Sequence, residues 1–170
     1  FGGTFAQMWF LTRGCTWDRR GECTMCNYGH TGRVTSDEIA RFVADGLLTI
    51  DRPIDELFVS PSGSLLDPIE VPISARHQIY DEVARFPCDR FSFETRPETV
   101  NQDVIDELLA ALPNKRIAVG LGLESADPWI LRHCVNKAGA FESFGSAAAM
   151  LRSAGIRVFA NLDLGSALLD

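Results

Sequence analysis

The chain has 170 residues, 46% of them apolar and 23% charged, with a net charge of −7 and a pI of about 4.9. This is enough for one domain with a sizeable core. The acidic balance argues against a dedicated nucleic-acid surface, which requires clustered Lys and Arg unless a partner domain supplies them, and no apolar run reaches the roughly 18–20 residues needed to span a bilayer.

No signal peptide is visible. The chain opens on Phe1 and closes on Asp170 after a strand-like run. It is therefore expected to be a segment of a longer protein, with an additional C-terminal domain or a partner subunit beyond it.

The elements alternate along the chain. Residues 7–12 read as a buried strand, followed by Gly14 and a cysteine-bearing loop. Residues 35–49 read as a helix with Ser36 as N-cap and Ile39, Phe42, Val43 and Leu47 on one face. The strand at 56–60 runs into Pro61-Ser62-Gly63-Ser64, and a helix at 71–86 turns Ile79, Val83 and Phe86 inward. The strand at 90–94 ends in Glu94-Thr95-Arg96-Pro97-Glu98. A helix at 101–112, with Val104, Ile105, Leu108 and Leu109 inward, stops at Pro113. The strand at 116–123 leads into Glu124-Ser125, and helices at 128–134 and 141–154 end at Gly155. A strand at 157–164 sends Asn161, Asp163 and Gly165 to one side.

Such alternation predicts an α/β fold with a parallel sheet covered by helices. Sheets of this kind carry their chemistry at the carboxyl ends of the strands. Polar or glycine-rich residues follow all of the predicted strands, although turn residues gather at strand ends in any protein.

The five cysteines are residues 15, 23, 26, 88 and 134. An odd number with three crowded together does not suit a disulfide framework and points to metal in a reducing, cytoplasmic setting. The close set has the spacing Cys15-x7-Cys23-x2-Cys26. Three thiolates on a cube of four irons leave one iron open for chemistry. The alternative is a non-enzymatic zinc-binding module in which His30 completes a Cys3His site, and a third is three unligated thiols. Position after the first strand of a parallel array favours the cluster. Cys88 and Cys134 read as buried apolar groups, His77 and His133 as surface or helix-end residues, and Trp9, Phe91 and Phe93 as strand core.

Several segments together resemble a known family. They are Thr12-Arg13-Gly14-Cys15-Thr16-Trp17, Gly21-Glu22-Cys23-Thr24-Met25-Cys26-Asn27-Tyr28, Ser62-Gly63-Ser64-Leu65-Leu66-Asp67, Glu70-Val71-Pro72, Glu94-Thr95-Arg96-Pro97-Glu98, and Gly122-Leu123-Glu124-Ser125 with Asn136-Lys137. The chain resembles the radical SAM superfamily. Its first spacer of seven residues, where three are usual, is similar to the branch around the catalytic subunit of Elongator and the radical SAM enzyme of archaeosine synthase.

The resemblance implies a partial (β/α)6, TIM-like radical SAM barrel truncated after the fifth strand, with residues 1–170 as its incomplete core domain. It implies a [4Fe-4S] cluster on Cys15, Cys23 and Cys26, with S-adenosylmethionine (SAM) as second cofactor. Ser62, Gly63 and Ser64 then lie where the family binds the SAM amino group. Glu94 faces the SAM ammonium or a ribose hydroxyl, Glu124 the ribose, and Lys137 the SAM carboxylate. Arg96 pairs with a carboxylate, or else forms a solvated pair with Glu98. Tyr28 meets adenine through its backbone or shields the cluster with Trp17. Asp163 faces the ribose by similarity to the oxygen-independent coproporphyrinogen oxidase branch. A one-electron donor such as flavodoxin or ferredoxin drives reductive SAM cleavage to a 5′-deoxyadenosyl radical that takes hydrogen from a second substrate. For the archaeosine-type branch that substrate is a lysine-modified deazaguanine in tRNA and the step is carbon–nitrogen cleavage. A small molecule of natural-product biosynthesis is the alternative.

Overall fold

A computed structural model describes residues 3–30, 32, 34–137 and 139–163. Its strands are β1 (Phe5–Phe10), β2 (Glu56–Pro61), β3 (Arg90–Thr95), β4 (Arg116–Glu124) and β5 (Arg157–Leu162). Its helices are α1 (Thr16–Arg19), α2 (Ser36–Leu48), α3 (Ile73–Arg85), α4 (Gln102–Ala111), α5 (Pro128–His133) and α6 (Ala140–Ser153). Short 3-10 turns occupy Tyr28–His30 and Pro97–Thr99.

All strand pairs are parallel, in the order β1-β2-β3-β4-β5. Right-handed crossovers that always advance in one direction put their helices on one face of the sheet. That face holds Phe10, Leu57, Val59, Phe91, Phe93, Val119 and Leu121, all fully buried. They share one core with Ile39 and Val43 of α2, Ile79 and Val83 of α3, Ile105 and Leu108 of α4, and Leu151 of α6. Among the described residues, the opposite face carries no helix layer and forms an open floor.

The α/β class and the parallel sheet agree with the sequence reading, and several details differ. Trp9 is 45% exposed rather than core. Strand alternation puts Met8 and Phe10 toward the helices, so Trp9 must point to the open face, where its ring lies 6.1 Å from that of Tyr28. Phe42 is exposed because α2 packs through Ile39, Ala40, Val43 and Leu47 instead. Leu109 stands at the rim of its stripe on α4 and is also exposed. Thr35, not Ser36, caps α2: its hydroxyl accepts from Glu38 N while the Glu38 carboxylate accepts from Thr35 N, a reciprocal capping box. Helix α1 inside the cysteine loop was not expected. Strand β5 ends at Leu162, and Leu164 and Gly165 lie outside the described residues.

Candidate functional site

The loop after β1 is folded back on itself. The N–H of Cys15 donates to the Tyr28 carbonyl at 3.3 Å, Arg19 N donates to Cys15 O at 3.0 Å, and Gly29 N donates to the Asp18 carboxylate at 2.5 Å. The far side of the loop is tied across the sheet. Thr24 donates through its N–H to Val135 O at 3.3 Å and through its hydroxyl to Cys134 O at 2.6 Å. Cys134 and Cys88 are buried, as expected.

These ties bring Cys15, Cys23 and Cys26 within electrostatic reach of one another, all three as free thiols. Burial pushes the Cys23 thiol up, with Lys137 opposing it. Burial also pushes up Cys26, against a hydrogen bond from the Tyr28 backbone. Among the described residues, no three His, Cys, Asp or Glu side chains converge tightly enough to hold a single ion. A tetrahedral zinc with bonds of about 2.3 Å requires sulfurs about 3.8 Å apart. His30 is exposed, so the Cys3His alternative has no formed site among the described residues.

Beside the thiols stands an ion pair. Lys137 Nζ donates to Glu124 Oε1 at 2.7 Å, and both side chains are largely buried. Burial works against the Lys137 charge, but Glu124 outweighs it and holds the ammonium above its ordinary value. Glu124 has φ 62° and Asn136 has φ 60°, both left-handed and neither a glycine. Such positions cost roughly 1–3 kcal/mol and cluster at functional sites. The sheet register slips between Gly122 and Glu124, which turns Glu124 toward Lys137. Asp163 donates its N–H to Glu124 O at 2.9 Å, while the residue itself is exposed.

Ser62, Gly63 and Ser64 face inward under Cys15. Ser62 Oγ accepts from Thr12 N at 2.8 Å, and Ser64 Oγ bonds the Thr95 and Thr99 hydroxyls and accepts from Arg96 N at 3.2 Å. Gly63 has φ 138°, and a Cβ there would overlap Glu70 Oε2 and approach Cys15 Cα at 3.6 Å. The positive φ and the buried Glu70 carboxylate therefore require glycine here.

Arg96 is 8% exposed, so it is not a solvated residue. Its guanidinium meets Glu70, Asp67 and Glu98, plus Thr16 Oγ1 at 2.9 Å and Cys15 Sγ at 3.7 Å. Burial works against its charge, but Glu70 and Glu98 outweigh that penalty and raise its affinity for the proton. Glu70 is the hub: fully buried, it also accepts from Thr16 N and Ser64 N at 2.6 Å each. Glu70 and Asp67 had no role assigned from sequence. The usable signal was two carboxylates among Leu65, Leu66, Ile69 and Val71, an apolar run in which charge needs a partner.

Glu94 stands on the open face, held from both neighbouring directions. Ser60 Oγ donates to one oxygen at 2.6 Å and Asn161 Nδ2 to the other at 2.8 Å. Phe159 lies beside it at the Gly120 register position, 6.2 Å from the Phe58 ring. The sequence-predicted residues thus fall into three groups. Cys15, Cys23, Cys26, Tyr28, Glu124 and Lys137 gather at the cysteine loop, and Ser62, Gly63, Ser64 and Arg96 form the cradle beneath it. Glu94 and Asn161 form a polar post on the floor, and the Asp163 side chain joins none of these groups.

No protein-family model matches the chain. Archaeosine synthase subunit beta of Methanosarcina acetivorans is 30% identical over 154 residues, covering 88% of this chain and 44% of that protein. The protein of the same name from Thermococcus kodakarensis is also 30% identical over 154 residues, covering 86% and 48%. An uncharacterized protein of Methanocaldococcus jannaschii is 28% identical over 135 residues, covering 74% and 37%. The chain spans less than half the length of these curated relatives. Across most of its own length, it is related in sequence to archaeosine synthase subunit beta.

Proposed function

We propose that this chain is the cluster- and SAM-binding part of a radical SAM enzyme that acts in archaeosine-type tRNA modification. In this reading it forms an open, partial (β/α)6 barrel, works in the cytoplasm and assembles with a further domain or partner subunit that carries the basic tRNA surface. The observation that carries it is the gathering of three free thiols at the carboxyl end of a parallel sheet, next to Lys137 and Glu124.

The donor set suits a [4Fe-4S] cluster. Three cysteine sulfurs are the ligand type of iron–sulfur clusters, and these thiols lie within electrostatic reach of one another. Arg96 bonds Cys15, and Lys137 lies within reach of Cys15 and Cys23. A cluster held by Cys15, Cys23 and Cys26 would supply the single electron for reductive cleavage of SAM, the chemistry that would activate a C–H bond of the substrate.

The chain's own residues bind and orient. Lys137 faces the SAM carboxylate and Glu124 the ribose. Glu94, fixed by Ser60 and Asn161, accepts hydrogen bonds from an ammonium or hydroxyl on the open floor. The Tyr28 backbone contacts adenine beside Trp9. The second substrate is the lysine-modified deazaguanine of tRNA and the outcome is carbon–nitrogen cleavage, with flavodoxin or ferredoxin as electron donor.

Anaerobic reconstitution tests the reading. The protein is expected to turn brown, hold about four irons and cleave SAM when dithionite is added. Cys23→Ala is expected to abolish cleavage. A colourless protein carrying one zinc, or a Cys23→Ala variant that still cleaves SAM, would overturn it.

A further inference from the structure

The three thiols are not equivalent. A guanidinium has five N–H donors in a rigid fork, and each of the five on Arg96 has its own partner. Nε donates to Glu98, Nη2 to Asp67 and Thr16, and Nη1 to Glu70 and the sulfur of Cys15. Among the described hydrogen bonds, Cys15 alone of the three receives one from a cationic side chain.

We infer that Arg96 is a positioning residue that fixes Cys15 at one corner of the cluster and makes that corner electron-poor, so that the cluster accepts its electron more readily. The inference rests on the cluster reading proposed above.

Geometry gives the reason. The guanidinium is locked from four directions and cannot turn away from the sulfur. Glu70 holds Nη1 and also the N–H of Thr16, the residue after Cys15. Asp67 and the Thr16 hydroxyl hold Nη2, so both ends of the bond at Cys15 are anchored to the same two residues. An N–H donor at a ligating sulfur draws electron density from it and stabilises the reduced, more negative cluster. The nearby carboxylates act in the opposite sense, but each is partly neutralised by other donors. Thr16 N and Ser64 N bond Glu70, Ile69 N bonds Asp67, and Trp17 Nε1 bonds Glu98. Among the described hydrogen bonds, none of these carboxylates contacts the sulfur, whereas Arg96 does.

The test begins with the wild-type chain, reconstituted with iron and sulfide. Iron content is read first: a chain that takes up no cluster fails the cluster reading itself, and this inference with it. In loaded protein grown with 15N-labelled arginine, pulsed EPR of the reduced cluster is expected to show a 15N coupling from one guanidinium nitrogen. Loss of that coupling in Arg96→Lys, with the fold checked by circular dichroism, assigns it. The midpoint potential of Arg96→Lys is expected to move to more negative values. The double variant Arg96→Met, Glu70→Gln keeps the local charge sum while removing the N–H donor, and its potential is expected to move the same way. Loaded wild type without a 15N coupling, or a folded and loaded variant with an unshifted potential and spectrum, would overturn the inference and leave the cluster reading standing.

Discussion

Glu124 and Lys137 form a 2.7 Å ion pair that joins the end of β4 to the turn after α5. Left-handed backbone at Glu124 and at Asn136 delivers the two side chains to each other. Neither residue is glycine, so the backbone conformation is retained against its cost. The pair lies beside Cys23 and Cys15, which places a charged donor and a charged acceptor next to the thiols.

The first prediction concerns Lys137. Removing a charged hydrogen bond to a ligand costs about 1.5–3 kcal/mol. Lys137→Met combined with Glu124→Gln, which avoids a stranded carboxylate, is expected to weaken SAM binding about 10- to 100-fold. Iron content is expected to stay at the wild-type level. Equilibrium binding of SAM to the reconstituted protein checks this, and wild-type affinity would exclude Lys137 from the SAM site.

A second prediction separates strain from chemistry at Asn136. Left-handed backbone costs an ordinary L-residue about 1–2 kcal/mol, which asparagine partly escapes through local hydrogen bonding and glycine avoids. Asn136→Ala is expected to destabilise the chain by about 1 kcal/mol and Asn136→Gly to be close to neutral. Urea denaturation measures both. Equal stabilities would mean that the turn relaxes without cost.

Two glycines are expected to respond in opposite ways. A Cβ on Gly120 would lie 2.6 Å from the Phe159 ring and 3.2 Å from Glu94 Cγ. Gly120→Ala is thus expected to destabilise by about 1–3 kcal/mol through overpacking and to displace Glu94. Gly145 lies inside α6 with open space around its position. Gly145→Ala is expected to stabilise by about 0.4–1 kcal/mol. Thermal melts of the two variants check the contrast, and a common sign would refute it.

The pH dependence of stability is expected to report on Glu107. Partial burial would raise its affinity for the proton, but paired hydrogen bonds from Arg76 at 2.8 Å and the charges of Arg76 and His77 hold it below its ordinary value. A carboxyl depressed in the folded chain stabilises fully above its unfolded value and loses that contribution as pH falls through the folded one. The stability difference between wild type and Glu107→Gln is therefore expected to be present at about pH 5, with His77 charged, and to shrink below about pH 4. Denaturant titrations across that range decide it, and a difference independent of pH would sever the link to Arg76.

The strands and their order of appearance were legible because each is a short apolar run closed by turn residues. The position of the cysteines at a strand end followed directly. What was hidden depended on phase and on distant partners. Alternation says that Trp9 and Phe10 face opposite sides, but not which side the helices cover. Arg96 reads from sequence as a neighbour of Glu98, and that bond exists. Its other carboxylates come from residues 26 and 29 positions away, and no local pattern announces them. Ser62 and Ser64 lie where the resemblance puts a ligand-binding motif, yet their hydroxyls are engaged in holding loops together. Gly63 between them permits the backbone geometry at φ 138°.

The bond between Thr24 and Cys134 spans 110 residues, and it bears on the timing of assembly. At roughly 5–20 residues per second of synthesis, Cys134 emerges about 10 seconds after Thr24. Throughout that interval Cys15, Cys23 and Cys26 are already made, yet the far anchor of their loop does not exist. The cysteine loop is consequently closed only after the fourth strand and the helix that follows it have been made. Ordering of the cysteine loop is thereby coupled to completion of the fourth strand and the helix after it.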